Sequence, residues 1–403
     1  MNRPSWTFLL LLVVTGCMPV SAQVLTELEF LDSVLANHPA VAAAESAEAA
    51  AAGARRQAGI VSNPVLSWER EEPDVALRQD TWRLDWQLPL DGRKHRKAAG
   101  DAALAALSSD LEATKLGVRL EMRSLFASWY VATEREVVLQ AHLDRTSLLA
   151  RWLRARAESG EAAGVEAHRL DLEVEVFERE FVTARAAARA ERVAAAVWCD
   201  LVTGEIRPRR PFLPPPPPPP TTVDVGNRPD IQAIAHRVVE AEAVERLQRR
   251  SLEPPAISLG WTTLGEGGLN FDGPVYGVAW PLPIFDRNQG NRDAAAAEAA
   301  VARSQLELET RLAEQRAQAA LASYTDLFHS AKPIVSGDDD FDVAAAAFAA
   351  FEAGEASLTD VLDSLRASVS VQMARLDSLD RALAAERELE AAIGRPILPG
   401  GSS

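Results

Sequence analysis

Residues 81–90 have the sequence Thr-Trp-Arg-Leu-Asp-Trp-Gln-Leu-Pro-Leu, in which large apolar side chains alternate with polar ones. A period of two places Trp82, Leu84, Trp86 and Leu88 on one face of a β-strand. Three further stretches show the same alternation, at Leu66 and Trp68, at Ile257, Leu259 and Trp261, and at Tyr276, Val278, Trp280 and Leu282. The sequence therefore predicts four short strands, each with one apolar face.

Several motifs occur twice, in the same order. Residues 86–90 (Trp-Gln-Leu-Pro-Leu) recur as residues 280–284 (Trp-Pro-Leu-Pro-Ile), 194 positions later. Residues 158–162 (Glu-Ser-Gly-Glu-Ala) recur as residues 352–356 (Glu-Ala-Gly-Glu-Ala), again 194 positions later, and Asn37-His38-Pro39 recurs as Asn227-Arg228-Pro229 after 190. Three matches in one order indicate two tandem copies of one structural unit.

Each copy is predicted to run as helix, strand, turn, strand, long helix, tip and helix. The first helices are expected at 39–61 and 229–251, because a proline follows each. The long helix of copy one, 94–157, contains no proline and would extend about 90–100 Å, with a break near Thr146 as an alternative. In copy two the long helix is expected from Gly290, with a break at 332–340. The return helices are expected at 165–203 and 357–394.

The resulting domain organisation has five parts. A secretory signal peptide is expected at 1–22, because one basic residue precedes a short apolar run. Cleavage before Cys17 would leave an acylated cysteine, whereas cleavage before Gln23 would not. Repeat 1 is expected at 23–207 (hairpin 64–90, tip 158–165), a proline-rich linker at 208–226, repeat 2 at 227–396 (hairpin 256–284, tip 352–359), and a tail at 397–403.

Composition excludes several classes of protein. A net charge of −16 argues against a nucleic-acid partner, whose phosphates need a basic surface. With Cys199 as the only cysteine besides Cys17, no disulfide framework is expected within the chain. The six histidines show no metal-ligand spacing, and no nucleotide-binding or hydrolase motif is present, so neither a metal site, a cofactor nor an enzyme is predicted.

The four strands favour a membrane location. Five of the nine tryptophans fall in them, as is typical of the aromatic girdles of membrane β-barrels, whereas a soluble sandwich would need a second sheet to cover these residues. Four strands cannot close a barrel, and open edges are not tolerated in hydrocarbon. The chain must therefore combine strands with copies of itself, and three copies would give twelve strands.

The chain resembles the TolC-type outer-membrane efflux proteins over essentially its whole mature length. The resemblance rests on the Asn-X-Pro helix starts, the strand ends at 88–90 and 282–284, and, most specifically, on residues 351–363 (Phe-Glu-Ala-Gly-Glu-Ala-Ser-Leu-Thr-Asp-Val-Leu-Asp). Residues 89–94 and Arg96 further resemble the heavy-metal cation efflux subgroup. The family implies a mainly α-helical homotrimer with a small β part, in which a twelve-stranded outer-membrane barrel continues into a periplasmic α-helical tunnel.

The resemblance also implies roles for residues and partners. Lumen or gate residues at the periplasmic tip would be Asp360, Asp363 and Glu166. The tips that dock on a periplasmic membrane fusion protein, served by an inner-membrane pump of the RND type, would contain Gly160, Glu161, Gly354, Glu355, Ser357 and Leu358. The barrel residues that face outer-membrane lipid would be Trp68, Trp82, Trp86, Trp261, Tyr276 and Trp280, and Cys17 would be lipidated.

The function expected is that of a passive exit duct of a tripartite efflux system in a Gram-negative outer membrane, with metal cations as one cargo. Two alternatives stay open. One is an exported coiled-coil scaffold that links envelope layers without conducting, which would leave the tryptophan-bearing strands unexplained. The other is the outer-membrane duct of a type I protein secretion system.

Overall fold

A computed structural model describes residues 24–74, 77–88, 92–160, 163–199, 206–217, 224–250, 254–336 and 343–397. The predicted signal peptide with Cys17, the residue Glu161, residues 89 and 90 of the strand end at 88–90, and the tail beyond Ile397 lie outside the described residues. Among the helices that are described, none has both the length and the apolar character needed to cross a membrane.

The chain is mainly helical with a small β part, which confirms the predicted fold class. Copy one contains β1 (Val24–Leu25), α1 (Glu27–Leu35), α2 (Pro39–Ala58), β2 (Val65–Asp74), β3 (Leu77–Gln87), α3 (Arg93–Glu158) and α4 (Gly164–Ala196). The strand β4 (Arg207–Pro208) lies where repeat 1 meets the proline-rich linker. Copy two contains α5 (Pro229–Arg250), β5 (Ala256–Glu266), β6 (Leu269–Ala279), α6 (Gln289–Ser336), α7 (Val343–Glu352) and α8 (Leu358–Ile393).

The Asn-X-Pro motifs begin α2 and α5 in the same way. Pro39 and Pro229 are each the first helical residue, where a missing N–H costs nothing and a fixed φ favours the helix. His38 Nδ1 accepts a hydrogen bond from Ala40 N at 3.2 Å and so caps α2. At the corresponding position before α5, Arg228 donates to the Ala392 carbonyl oxygen at 2.6 Å, which joins the start of α5 to the end of α8.

The helix α3 runs unbroken from Arg93 to Glu158, as predicted. At Thr146, the alternative site of a break, the hydroxyl donates to the His142 carbonyl oxygen at 2.8 Å and leaves the helix intact. Two other boundaries were wrong. The helix α6 continues to Ser336, past the start of the break predicted at 332–340, of which residues 337–340 lie outside the described residues, and α4 ends at Ala196 rather than 203. In α4 the alanine-rich run that favours a helix ends before Val197. The backbone then forms a turn, in which Trp198 N donates to the Ala195 carbonyl oxygen at 3.1 Å.

The described residues fall into two compact units. The first contains residues 24–30 and 125–211. There Phe126 packs between Phe30 and Trp129, with ring centroids 5.6 and 5.9 Å away. The two-residue strands β1 and β4 pair in parallel, so the proline-rich segment begins as part of a small sheet.

The second unit contains residues 31–124 and 212–397, including the four-stranded sheet. Its interior holds a buried charge cluster in which Arg123 on α3 donates to both carboxylate oxygens of Glu386 on α8, at 2.9 and 3.1 Å. Arg123 also pairs with Glu390, one turn further along α8, and Glu390 accepts from Ile397 N at 2.7 Å. The three side chains are at most 1% exposed, so the cluster fixes α3 against α8.

The sheet has the order β2-β3-β5-β6 and is antiparallel throughout. The strand ends that connect to helices all lie at one end of the sheet, and the two hairpin turns lie at the opposite end. Within the described residues, β2 and β6 each have only one neighbouring strand. The sheet is therefore open on both sides.

Candidate functional site

One face of the sheet carries an exposed apolar surface. Trp68, Trp82 and Trp261 are paired in register across β2, β3 and β5, and the rings of Trp68 and Trp82 lie 6.2 Å apart. These three side chains are 51–53% exposed, although tryptophan is normally well buried in a soluble domain. The predicted alternation is thus present in the fold, and it gathers the tryptophans of three strands into one row.

The tryptophan row borders a polar zone on the side of the hairpin turns. The next register position on the same face contains Arg70 and Asp80, with Arg70 Nε donating to Asp80 Oδ1 at 2.7 Å. On the side of the helices, the apolar surface continues through Leu84, Leu259 and Tyr276 to Trp86. The surface is therefore a band with tryptophans at both of its borders, as in the interfacial girdles of membrane sheets.

Trp280 lies outside the strand in which the sequence placed it, because β6 ends at Ala279. Ala279 pairs with Ala256, the first residue of β5. Pro255 directly precedes Ala256, and Pro281 lies two residues after Ala279. Proline has no N–H to continue the ladder. Trp280 and the residues after it still expose large apolar side chains, with Leu282 at 72% and Phe285 at 90%.

The opposite face of the sheet is polar over most of β3 and the first half of β5, although Leu264, Phe271 and Val275 also lie on it. Thr81 and Thr262 hydroxyls lie 3.0 Å apart on neighbouring strands, and Ser258 donates to the Asp85 carboxylate. Gly260 and Gly277 also belong to this face, and a Cβ on Gly260 would lie only 2.5 Å from the Trp82 carbonyl oxygen. One face thus suits lipid and the other suits water.

The second tip lies between α7 and α8. Gly354 has φ of +75°, which glycine adopts without strain in a tight reversal, and Glu355 N donates to the Ala350 carbonyl oxygen at 2.8 Å to close the turn. Leu358 is buried, while Gly354, Glu355 and Ser357 are exposed. The turn therefore presents small and polar groups and holds one leucine inward.

Asp360 has a structural role that the sequence reading overlooked. Ser357 caps α8 with its hydroxyl, which accepts from Asp360 N at 3.3 Å, while Asp360 Oδ2 accepts from Ser357 N at 2.8 Å. The side-chain and backbone hydrogen bonds from Ser357 hold the pKa of Asp360 below its usual value. The spacing Ser-x-x-Asp could have revealed this capping box.

Asp360 and Asp363 are both exposed, and they lie one turn apart on the same face of α8. The opposite face of α8 is packed, with Val361, Leu362 and Leu365 no more than 4% exposed. The structure therefore brings the two carboxylates together on the side of α8 that has no packing partner within the described chain.

The first tip differs at the cap. Gly160 has φ of +81°, and Ala163 precedes α4 without any side-chain cap. Glu166 is the third residue of α4, the position that Asp360 holds in α8, and it is partly exposed. The predicted equivalence of Glu166 and Asp360 thus holds in the helix register, but Glu166 lacks the serine that would engage its carboxylate. Glu161, the remaining docking residue, lies outside the described residues.

Over the part of the chain that the structure describes, no group of three or more histidine, cysteine, aspartate or glutamate side chains is arranged to hold a metal ion. The buried cluster of Arg123, Glu386 and Glu390 was also not predicted. No local pattern marks it, because Arg123 is more than 260 positions away from either glutamate.

Comparison with known proteins gives a consistent result. No protein-family model matches the chain. The cobalt-zinc-cadmium resistance protein CzcC of Cupriavidus metallidurans is 26% identical over 359 residues, which cover 85% of this chain and 84% of that protein.

Solved structures show the same fold. The outer-membrane channel OprN has a TM-score of 0.72 at 17% identity, covering 91% of this chain and 89% of that one. The open state of the MtrE outer-membrane channel of Neisseria gonorrhoeae has a TM-score of 0.70 at 17% identity, covering 94% and 91%. Fold and sequence together therefore confirm the resemblance first inferred from the motifs.

Proposed function

Since this chain has the fold of the TolC-type outer-membrane efflux channels, we propose that it is the outer-membrane duct of a tripartite efflux system in a Gram-negative bacterium. In this proposal three copies form the channel, and the helices extend it into the periplasm. Transport is passive through the duct, and the energy comes from an inner-membrane pump.

The observation that carries the proposal is the open sheet with an exposed tryptophan face. Unpaired backbone groups at a sheet edge cost several kcal/mol each in hydrocarbon, where no water can bind them. Pairing β6 of one protomer with β2 of the next would satisfy both edges at once. Three protomers then give twelve strands with lipid against the tryptophan face and water against the threonine face.

The tip residues supply the proposed gate. Asp360 and Asp363 are exposed and one helical turn apart, so a trimer would place six carboxylates around its axis, with Glu166 adding three more. Rings of negatively charged carboxylates select cations and repel anions. Opening would need the tips to separate, and the glycine reversals with Glu355 and Ser357 would be the surface that a periplasmic fusion protein engages. Leu358, which was also expected to dock, is buried and would support the turn from inside.

The cargo proposed is divalent metal cations. CzcC is named for resistance to cobalt, zinc and cadmium, and it is similar over most of both chains. A net charge of −16 is compatible with cations as cargo. Cys17, where the signal peptide offers a lipoprotein cleavage site, is proposed to carry the lipid that anchors the mature N-terminus.

The experiment is single-channel recording of the purified protein in a planar bilayer. We expect discrete openings with cation preference, and Asp360→Asn with Asp363→Asn should lower the cation-to-anion permeability ratio, with Glu166 supplying the preference that remains. The matched control is Glu314→Gln with Asp326→Asn, which removes two exposed carboxylates from α6. A sample that is cross-linked as a trimer and inserted in the bilayer, yet never conducts, would contradict the duct and favour the scaffold.

A further inference from the structure

Four helix ends meet beside the sheet. Arg93 Nε at the start of α3 donates to the Gly59 carbonyl oxygen just after α2, at 2.9 Å. A Cβ on Gly92 would lie 2.8 Å from Leu247 near the end of α5, and Asn288 Nδ2 before α6 donates to the Gln248 carbonyl oxygen at 3.0 Å. The ends of α2 and α5 and the starts of α3 and α6 therefore form one continuous junction.

This junction is rich in cations, in a chain whose net charge is −16. Several of them are exposed and lie within five residues of a helix end. We refer to five of these as the basic collar: Arg56, Lys94, Lys97, Arg287 and Arg292. Among the described residues, none of the five has a carboxylate partner within 4 Å, whereas neighbouring Arg55 pairs with Asp101 and Arg249 with Glu245.

Carboxylates at the junction do not neutralise the collar. Of those in the described segments next to the collar, Asp101 and Glu245 already have arginine partners. Asp286, whose Oδ1 accepts from Asn288 N at 2.8 Å, and Asp293 keep their charges, but the five cations of the collar outnumber these two carboxylates. The junction therefore keeps an excess of positive charge that faces solvent.

The position of Lys94 and Lys97 is unfavourable for α3 itself. Both lie in the first five residues of the helix, where the helix dipole disfavours positive charge. The first turn of α3 contains no acidic residue that would compensate. An external anion would offset this repulsion.

The collar adjoins the apolar band of the sheet. Trp86 is at the helix-side border of that band, and its indole nitrogen donates to the Ser62 carbonyl oxygen at 3.1 Å, between α2 and β2. Trp280, Leu282, Ile284 and Phe285 are 60–90% exposed in the segment that leads from β6 to α6. Exposed apolar side chains followed directly by exposed cations match the boundary between hydrocarbon and charged headgroups.

We infer that the basic collar binds the anionic headgroups of phospholipids in the periplasm-facing leaflet of the outer membrane. The inference rests on the proposed function, because that function places the sheet in the membrane and the helices in the periplasm. Charge complementarity and direct continuity with the lipid-facing band identify the ligand. Each exposed lysine or arginine near an anionic leaflet adds to the attraction.

The test measures lipid selectivity of the full-length protein in vesicles. Brominated phosphatidylglycerol or brominated phosphatidylcholine is mixed with unbrominated phosphatidylcholine, and quenching of the band tryptophans reports which lipid is in contact. At low salt we expect a preference of about tenfold for phosphatidylglycerol, reduced at high salt. Arg56→Gln, Lys94→Gln, Lys97→Gln and Arg287→Gln together should reduce the preference to near one.

The control variant removes the same charge elsewhere, by Arg189→Gln, Arg316→Gln, Arg381→Gln and Arg395→Gln, which are also exposed. It should keep the preference. Equal preference in the collar variant and the wild type would overturn the inference. Loss of the preference on adding inorganic phosphate, at matched ionic strength with sodium chloride, would assign the collar to free phosphate and likewise overturn it.

Channel currents from the same vesicles separate the two proposals. Currents without any phosphatidylglycerol preference would overturn the lipid site and leave the duct standing. A protein that does not insert at all would overturn both.

Discussion

Asp360 combines two tasks in one carboxylate. Its Oδ2 accepts hydrogen bonds from the backbone and the hydroxyl of Ser357, at 2.8 and 2.6 Å, and so begins α8. These bonds favour the ionised form and hold the pKa of Asp360 below its usual value. The charge proposed for the gate is thereby retained to a lower pH than that of an ordinary aspartate.

The pH dependence of selectivity tests this link. In an Asp363→Asn and Glu166→Gln background, the remaining cation preference from Asp360 should persist on acidification through the usual titration range of aspartate and disappear only below it. A lowered pKa means that the ionised form, with its capping bonds, is present above that pKa and is lost as the pH falls through it. Ser357→Ala should move the midpoint upward, as measured by reversal potentials at stepped pH. Ser364→Ala on the same helix should not, and an unchanged midpoint in Ser357→Ala would refute the link.

At the scale of elements, the two tips show which features of a helical hairpin are essential. Both reversals use a glycine with positive φ, and around both glycines there is open space where a side chain would fit. Any penalty for alanine must therefore come from the backbone and not from a clash. The caps differ, since α8 has a capping box and α4 has none.

Gly354→Ala should lower the free energy of unfolding by about 1–2 kcal/mol, because alanine is strained in the left-handed region. Gly117→Ala is the matched control. Gly117 lies in the middle of α3 and is exposed, and a Cβ added there would meet no atom within 4 Å apart from the backbone of its own helix. Alanine at this position should therefore stabilise the protein by about 1 kcal/mol. Denaturant unfolding followed by circular dichroism measures both. Equal effects of the two substitutions would contradict the backbone explanation.

Local patterns explain which elements the sequence could predict. Alternation identified the strands, and glycine in a repeated motif identified the reversals, because each depends on neighbours in the chain. The end of β6 and the passage of α6 through Pro333 depend on the partner strand or on packing, so the sequence misplaced them. The gate carboxylates were found from a family motif, whereas their capping partner needed only the Ser357-to-Asp360 spacing.

On the scale of the whole molecule, the second unit depends on a charge cluster that no motif predicts. Arg123 serves two carboxylates that are 0% exposed, and it joins the middle of α3 to the last turns of α8. Burying ions is costly, so such a cluster contributes more to choosing one packing arrangement than to net stability. It also holds the C-terminal segment, because Glu390 accepts from Ile397 N.

Arg123→Met should destabilise the protein by about 3–5 kcal/mol, because two buried carboxylates lose their counterion. Adding Glu386→Met and Glu390→Gln should restore most of this loss, because the uncompensated charge is then gone. Arg311→Met, which breaks the exposed pair with Glu307, should cost at most about 1 kcal/mol. Thermal unfolding of the four proteins is the measurement, and a mild effect of Arg123→Met alone would contradict the assigned role.

The open edges of the sheet also have a genetic consequence. If β2 of each protomer must pair with β6 of another, a protomer with one damaged edge leaves a gap that its two intact partners cannot close. Where intact and damaged chains are made together, the share of sound channels falls as the cube of the intact fraction. Damage to a single edge strand would therefore be dominant in the cell, whereas loss of the whole chain would be recessive.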